Sequence, residues 1–195
     1  MISSAKEDCY QRQLHELVLA SSPLMDALKT VRSLGLSSWC IGAGVIRALV
    51  WDSLHGFRQP SKVDDLDVAY FDAQASLAQD ERLARQLNLL LPDRNCEVTN
   101  QARVHEWYAK AFGRQVPALN SLEEGLASWP EYATCVGVFL DDADTLHVIA
   151  PYGLSDLFQM RVRHNPLRAT PEMYTRRVES KRFKEKWPKL IISKP

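Results

Sequence analysis

Trp39-Cys-Ile-Gly-Ala-Gly-Val-Ile-Arg-Ala-Leu-Val-Trp51, followed after a polar loop by Asp65-Leu-Asp-Val-Ala-Tyr-Phe71, is the stretch from which the architecture can be read. Ser38 to Ile41 is a short apolar run, which predicts a buried strand. Gly42-Ala-Gly44 then predicts a turn, and Val45 onward a helix closed by Gly56. Asp65 to Phe71 alternates and is rich in β-formers, so it reads as a second strand. A strand, a glycine turn, a helix and a strand again imply a sheet that buries its apolar side chains under helices.

Working outward, Leu14, Leu17, Val18, Leu24, Ala27, Leu28 and Val31 recur at helical spacing, with Pro23 between them and Gly35 after them. Two helices are expected there. A helix from about Ala75 to Leu91 and a third strand around Glu97-Val-Thr99 follow. A further helix is expected from about Asn100 through Trp107 to Phe112. Thr134 to Leu140 and Leu146 to Ala150, joined by Asp141-Asp-Ala-Asp144, read as a hairpin. The last segment reads as helical, beginning near Pro151 or Ser155. The expected class is α/β in the mixed α+β sense: a mixed sheet flanked by helices. The chain divides into an N-terminal helical segment at 1–37, a sheet domain at 38–169 and a basic C-terminal helix and tail at 170–195.

Composition excludes several classes. With 195 residues, 46% hydrophobic and 25% charged, the chain is an ordinary globular protein rather than a disordered or collagenous one. Lys plus Arg equals Asp plus Glu at 24 each, so there is no global field to attract nucleic acid or an anionic membrane. The longest apolar stretch, Trp39 to Trp51, contains Arg47 and falls short of the roughly 20 residues a bilayer span needs. The polar N-terminus has no apolar core of a signal peptide, so a cytoplasmic location is expected. Cys9, Cys40, Cys96 and Cys135 never form Cys-x-x-Cys, and no His-Glu-x-x-His pair occurs, which favours free thiols over a zinc site.

The chemistry concentrates at Asp65-Leu-Asp67. Alternation in a strand projects both carboxylates from one face, with Cα atoms about 6.6 Å apart, while Leu66 and Val68 point to the core. Two carboxylates on one face repel unless a cation neutralises them, and hard oxygen ligands suit Mg²⁺ or Mn²⁺. Glu97 on the next strand is the candidate third acid of a two-metal site. Gly42-Ala43-Gly44, at the start of a helix, offers backbone N–H groups to phosphate, with Arg47 one turn in. Other readings compete. A dinucleotide fingerprint would need a third glycine where Arg47 stands. A haloacid-dehalogenase-type Asp-x-Asp ends an apolar strand, whereas here the apolar run follows the acids. Spacing alone also leaves open a solvated loop capped by Asp64, Asp65 and Asp67.

Trp39 to Gly56 and Asp64 to Asp72, together with Asn100-Gln-Ala-Arg-Val-His-Glu-Trp-Tyr108 and Ala150-Pro-Tyr-Gly-Leu-Ser-Asp-Leu-Phe158, resemble a bacterial nucleotidyltransferase-like family of the DNA polymerase β nucleotidyltransferase superfamily. The resemblance extends from about Trp39 to Pro166. It implies transfer of a nucleoside monophosphate from an NTP to an acceptor, with Mg²⁺ or Mn²⁺ as cofactor. It also implies Asp65 and Asp67 as the metal-binding pair, Gly42 and Gly44 as the phosphate-binding turn and Glu97 as the third acid. Ala43 departs from the superfamily, which often has Gly-Ser or Gly-Gly there, so a side-chain contact to the γ-phosphate must come from elsewhere. A catalytically inactive nucleotide-binding or interaction protein on the same fold is the alternative.

Asn100, Gln101, Arg103 and His105 cluster just after Glu97, where they are candidates for nucleotide contacts; helix capping by Asn100 is the competing role. Trp51, Trp107, Trp129 and Tyr152 read as core, with stacking of one of them on a nucleobase as the competing role. From Pro171 the chain carries eight Lys or Arg against three Glu, net +5. Met173, Tyr174, Val178, Phe183 and Trp187 stand at helical spacing there, so this segment is expected to dock on the domain. That leaves a small-molecule or protein acceptor as the expectation, rather than a nucleic acid, and no membrane partner.

Overall fold

The computed structural model describes residues 4–76 and 78–195. Helices α1 (Ser4–Ala20) and α2 (Ser22–Arg32) break at Pro23, which takes a first-turn position of α2 where its missing N–H costs nothing. They bury Leu14, Val18, Leu24, Ala27, Leu28 and Val31. Strand β1 (Trp39–Gly42) leads through Ala43 into α3 (Gly44–His55), which ends at left-handed Gly56. Strand β2 (Leu66–Tyr70), helix α4 (Ala78–Leu90) and strand β3 (Cys96–Asn100) form a crossover unit whose strands are parallel. Leu77, within the helix expected from Ala75, lies outside the described residues.

A 3₁₀ turn at Gln101–Arg103 precedes α5 (Val104–Phe112), so the helix expected from Asn100 starts later, with Asn100 as the cap of the turn. Helix α6 (Leu122–Ala127), capped by Ser121, was not expected. Strands β4 (Gly137–Leu140) and β5 (Leu146–Ile149) form the hairpin, shorter than its sequence suggested because Tyr132–Thr134 coil into a 3₁₀ turn. After the short α7 (Ser155–Phe158) and β6 (Arg161–Val162) come α8 (Pro171–Lys181), α9 (Phe183–Lys186) and β7 (Ile191–Ile192). The strands β6 and β7 pair in parallel, a two-residue ladder too short to leave a periodic signal. Arg182, at φ 50°, breaks the expected C-terminal helix into α8 and α9.

The main sheet has the order β3-β2-β1-β4-β5 and is mixed: β2–β3 is parallel and the other pairs are antiparallel. One face carries Ile41, Leu66, Val68, Val98 and Val138 into the main core. That same core takes in Tyr174, Phe183 and Trp187 from the C-terminal segment, which docks on the sheet domain. Tyr174 Oη donates to the carbonyls of Val162 and Ser193, both at 2.9 Å. The opposite face is covered only in part, where Leu122 and Leu126 of α6 pack on Cys40 and Ala69. The rest of that face is open, and the acids lie on it.

Of the four aromatics expected in the core, Trp51 alone is fully buried; its Nε1 donates to the Leu157 carbonyl at 2.9 Å. Trp107 and Tyr152 are exposed and Trp129 half-buried. All four cysteines are free, and Cys40, Cys96 and Cys135 are buried.

Candidate active site

Asp67 lies inside β2 and pairs in register with Glu97 of β3. In a parallel pair, directly opposed residues share a face and a level, so these carboxylates are neighbours by construction. Asp65 lies just before β2, where Asn95 Nδ2 donates to its Oδ1 at 2.6 Å. Leu66 and Val68 point into the core, as alternation requires. The three acids act on one another. Burial raises the Asp67 carboxyl above its usual range and the charge of Asp65 adds to this, while the Gly44 backbone N–H, Arg177 and Lys181 oppose it. Glu97 is raised by burial and by both aspartates, and lowered by Lys181.

The turn at Gly42–Gly44 is tight. A methyl group on Gly42 would stand 2.7 Å from the Trp129 ring and 2.9 Å from the Val136 carbonyl, so glycine is required by the close approach of both. Ala43 sits at φ 50°, ψ −111°, a conformation that side chains rarely adopt. It turns β1 into α3 so that Gly44 opens toward Asp67 Oδ2.

Arg47, expected from the sequence to need a partner, has a distinctive setting. It is buried, forms no ion pair with a described residue, and its Nε and Nη1 donate to no acceptor among the described residues. Its guanidinium lies 4.8 Å from the ring centroid of Phe183, 5.5 Å from Trp51 and 5.9 Å from Trp187. Burial lowers its pKa to about 10, against which Glu131 and Asp67 act to hold its proton and Arg177 acts to release it. A cation this poorly solvated leaves hydrogen-bonding capacity unmet, which is the chemistry an anion would satisfy. Two residues that sequence reasoning missed complete the electrostatics. Glu131 is wholly buried, binds Arg177 Nε at 2.6 Å and accepts from the Thr134 hydroxyl at 2.9 Å. Arg177 belongs to α8, as do Arg176, Ser180 and Lys181, and all four line the cleft.

The cleft has a volume of about 700 Å³ and is lined by Ala43, Gly44, Arg47, Asp65, Asp67, Glu97 and Gln101 together with the α8 side chains. Asn100 and Arg103 are committed elsewhere. Asn100 is buried, accepts from the N–H groups of Asp72 and Ala102 at 3.1 Å and donates to the Asp72 carbonyl at 2.7 Å. Arg103 donates to the Ala75 carbonyl and pairs with Glu106 at 2.5 Å. The signal that could have located the α8 wall was the net +5 of the tail combined with its apolar spacing. A docked helix with that charge must aim some of it at the domain.

Carboxylate oxygens alone make up the acidic wall, which fits a hard divalent cation rather than zinc. Among the described residues, no three acidic, histidine or cysteine side chains are already gathered closely enough to hold an ion. The arrangement can set a cation and a polyphosphate side by side, acids on one wall and Arg47, Arg177 and Lys181 on the other.

A mixed sheet carrying a glycine turn and opposed acids on adjacent strands defines a nucleotidyltransferase-type head. Residues 29–192 match the family described as Nucleotidyltransferase, and the chain belongs to that family. It is also similar to an NMR structure described as revealing a CCA-adding enzyme head domain. The likeness has a TM-score of 0.77 and 28% identity, over 93% of this chain and 96% of the other. A structure of a tRNA-processing enzyme complex shares the fold at a TM-score of 0.50 and 18% identity, with 86% of this chain matching 43% of that one. The comparison with curated proteins finds no match.

Proposed function

We propose that this protein is a cytoplasmic nucleotidyltransferase that moves a nucleoside monophosphate from an NTP to an acceptor, with Mg²⁺ or Mn²⁺ as cofactor. The observation that carries the reading is the opposition of Asp67 and Glu97, with Asp65 beside them, to the buried and unpaired Arg47 across one cleft. Asp65, Asp67 and Glu97 would hold the cation. When bound there, it supplies charge neutralisation at the α-phosphate and acidifies the attacking hydroxyl. Arg47 and the first turn of α3 hold the triphosphate in place and take up the charge of the departing pyrophosphate, since the Ala43 and Gly44 N–H groups are already given to the Val136 carbonyl and to Asp67. Arg177, held by Glu131, and Lys181 supply the side-chain contacts that Ala43 lacks. Attack is in line: the bond from the acceptor oxygen to the α-phosphorus forms as the bond to pyrophosphate breaks, and the hydroxyl proton passes to solvent water.

The acceptor in this reading is a small molecule or a protein, because Arg176, Arg177 and Lys181, three of the eight cations after Pro171, line the cleft and leave a smaller basic surface outside it for a polynucleotide. A tRNA end is the second reading, favoured by the 28% identity to the CCA-adding head domain. The test is incubation of the protein with α-labelled NTP, Mn²⁺ and separate cellular small-molecule, protein and RNA fractions, with Asp67→Asn as control. Label transfer that the control lacks, with pyrophosphate released, supports the reading. NTP binding without transfer to any fraction would make this a nucleotide-binding protein. Transfer to RNA, with binding that weakens steeply between 50 and 200 mM salt, would select the second acceptor.

A further inference from the structure

The cleft continues past the acids into an apolar half that the phosphate chemistry leaves unused. Its wall is α5, where Trp107 and Phe112 stay 39% and 49% exposed although both are large and apolar. They form a cluster with Tyr108: Tyr108 and Phe112 have ring centroids 4.6 Å apart, and Trp107 and Phe112 6.4 Å. All three line the cleft. At the same end lies Arg168, which is 4% exposed and also lines the cleft. Its guanidinium is 5.8 Å from the Tyr108 ring centroid, Nη2 donates to the Pro117 carbonyl at 2.6 Å, and Nη1 finds no acceptor among the described residues. Its backbone carbonyl accepts from Tyr108 Oη at 3.1 Å, which ties α5 to the chain entering α8.

Helix α8 measures the distance between the two ends. Lys181 acts on Asp67 and Glu97, whereas Met173 lines the cleft two turns earlier; eight residues at 1.5 Å make this about 12 Å. A nucleoside monophosphate bridges such a span, with its phosphate among the acids and its ring among the aromatics. We infer that Trp107, Phe112 and Arg168 form the subsite for the nucleobase of the NTP, and that the site prefers a base with adjacent hydrogen-bond acceptors. The inference rests on the reading of the cleft as a nucleotide site. An exposed indole and phenyl ring offer a stacking platform that every base can use, and the stack alone does not select among bases. Selection comes from Arg168. A guanidinium only donates, so it matches the O6/N7 edge of guanine or the O2/N3 edge of cytosine and finds no such pair on adenine.

Calorimetric titration of the full-length protein with Mn²⁺ plus ATP, CTP, GTP or UTP, and in parallel with inorganic tripolyphosphate, separates the two ends of the cleft. In the wild type, CTP or GTP is expected to bind more tightly than ATP. Trp107→Ala should weaken the preferred NTP by about tenfold, the scale of one lost base stack, and leave tripolyphosphate unchanged. Arg168→Met should level the affinities of the bases, with a melting scan showing that the variant is folded; Arg168→Lys, a second variant, should lose the preference too, because it lacks the fork. The inference is overturned if ATP is preferred, if Trp107→Ala weakens NTP and tripolyphosphate alike, or if neither ligand responds. Failure of the wild type to bind either ligand overturns the nucleotide reading itself. Binding of tripolyphosphate without any gain from a base overturns this subsite alone.

Discussion

Asp67 and Glu97 stand directly opposite each other across the parallel β2–β3 ladder, two acids whose charges the backbone register forces together. The charge of Asp67 contributes to raising Glu97, and burial raises both. Carboxyls raised in the folded state bind protons more tightly there than in the unfolded chain. Without metal, their contribution to stability therefore falls as pH rises through and above the usual carboxylate range. Asp67→Asn should accordingly melt no lower than wild type near neutral pH in the absence of ligand, while losing the stabilisation conferred by Mn²⁺ with NTP. Scanning fluorimetry with and without both ligands is the check. An unchanged ligand-induced shift in Asp67→Asn and in Asp65→Asn would remove the acids from the site.

Glu97→Gln should lower turnover by orders of magnitude and change NTP affinity much less, because a third acid acts mainly where charge develops in the transition state. Single-turnover kinetics beside equilibrium titration separates the two effects. Near-normal turnover would move the third carboxylate elsewhere.

Ala43 is held at φ 50°, ψ −111°, where a side chain costs about 1–3 kcal/mol. Glycine gives back about 0.4–1 kcal/mol through the freedom of the unfolded chain. Ala43→Gly should therefore stabilise the protein by about 1 kcal/mol in denaturant unfolding. Gly42→Ala should do the reverse, since its methyl meets the Val136 carbonyl at 2.9 Å and the Trp129 ring at 2.7 Å. Overpacking of this kind costs about 1–3 kcal/mol. Equal stability of the two variants would contradict the geometry of the turn.

Glu131 is buried against Arg177 and is the carboxylate acting most strongly on Arg47. Glu131→Gln keeps the shape and removes the charge, leaving two cations to face each other. A loss of about 3 kcal/mol is expected, at the low end for a broken buried pair because Arg177 is 31% exposed. Urea unfolding gives the number. A loss below about 1 kcal/mol would mean that Arg47 and Arg177 are solvated well enough without it.

How much of this was legible in the sequence depended on whether the signal was local. The strand, turn and helix from Trp39 to His55 and the alternation through Asp67 are set by neighbouring residues, and both were readable. Asp67 and Glu97 were paired on paper because a strand–helix–strand unit makes its strands neighbours. Asn100 was ambiguous between cap and ligand, and its backbone partners at Asp72 and Ala102 decide for the cap. Glu131, Arg177 and Lys181 were not readable as a group. Glu131 lies in a loop and the other two in α8, and only tertiary packing brings them together. Trp107 was misread as core because apolar character alone does not reveal which helix face the rest of the chain leaves uncovered.

The Asp52 carboxylate accepts from Trp187 Nε1 at 2.7 Å, and Phe183 and Trp187 are two of the three rings enclosing Arg47. A ribosome makes α3 well before it makes these rings. Until they emerge, the Arg47 guanidinium is hydrated like any surface arginine and the cleft lacks its basic wall. The growing chain can thus form most of its sheet before Arg47 is enclosed, an order that pulse-labelled nascent chains would display.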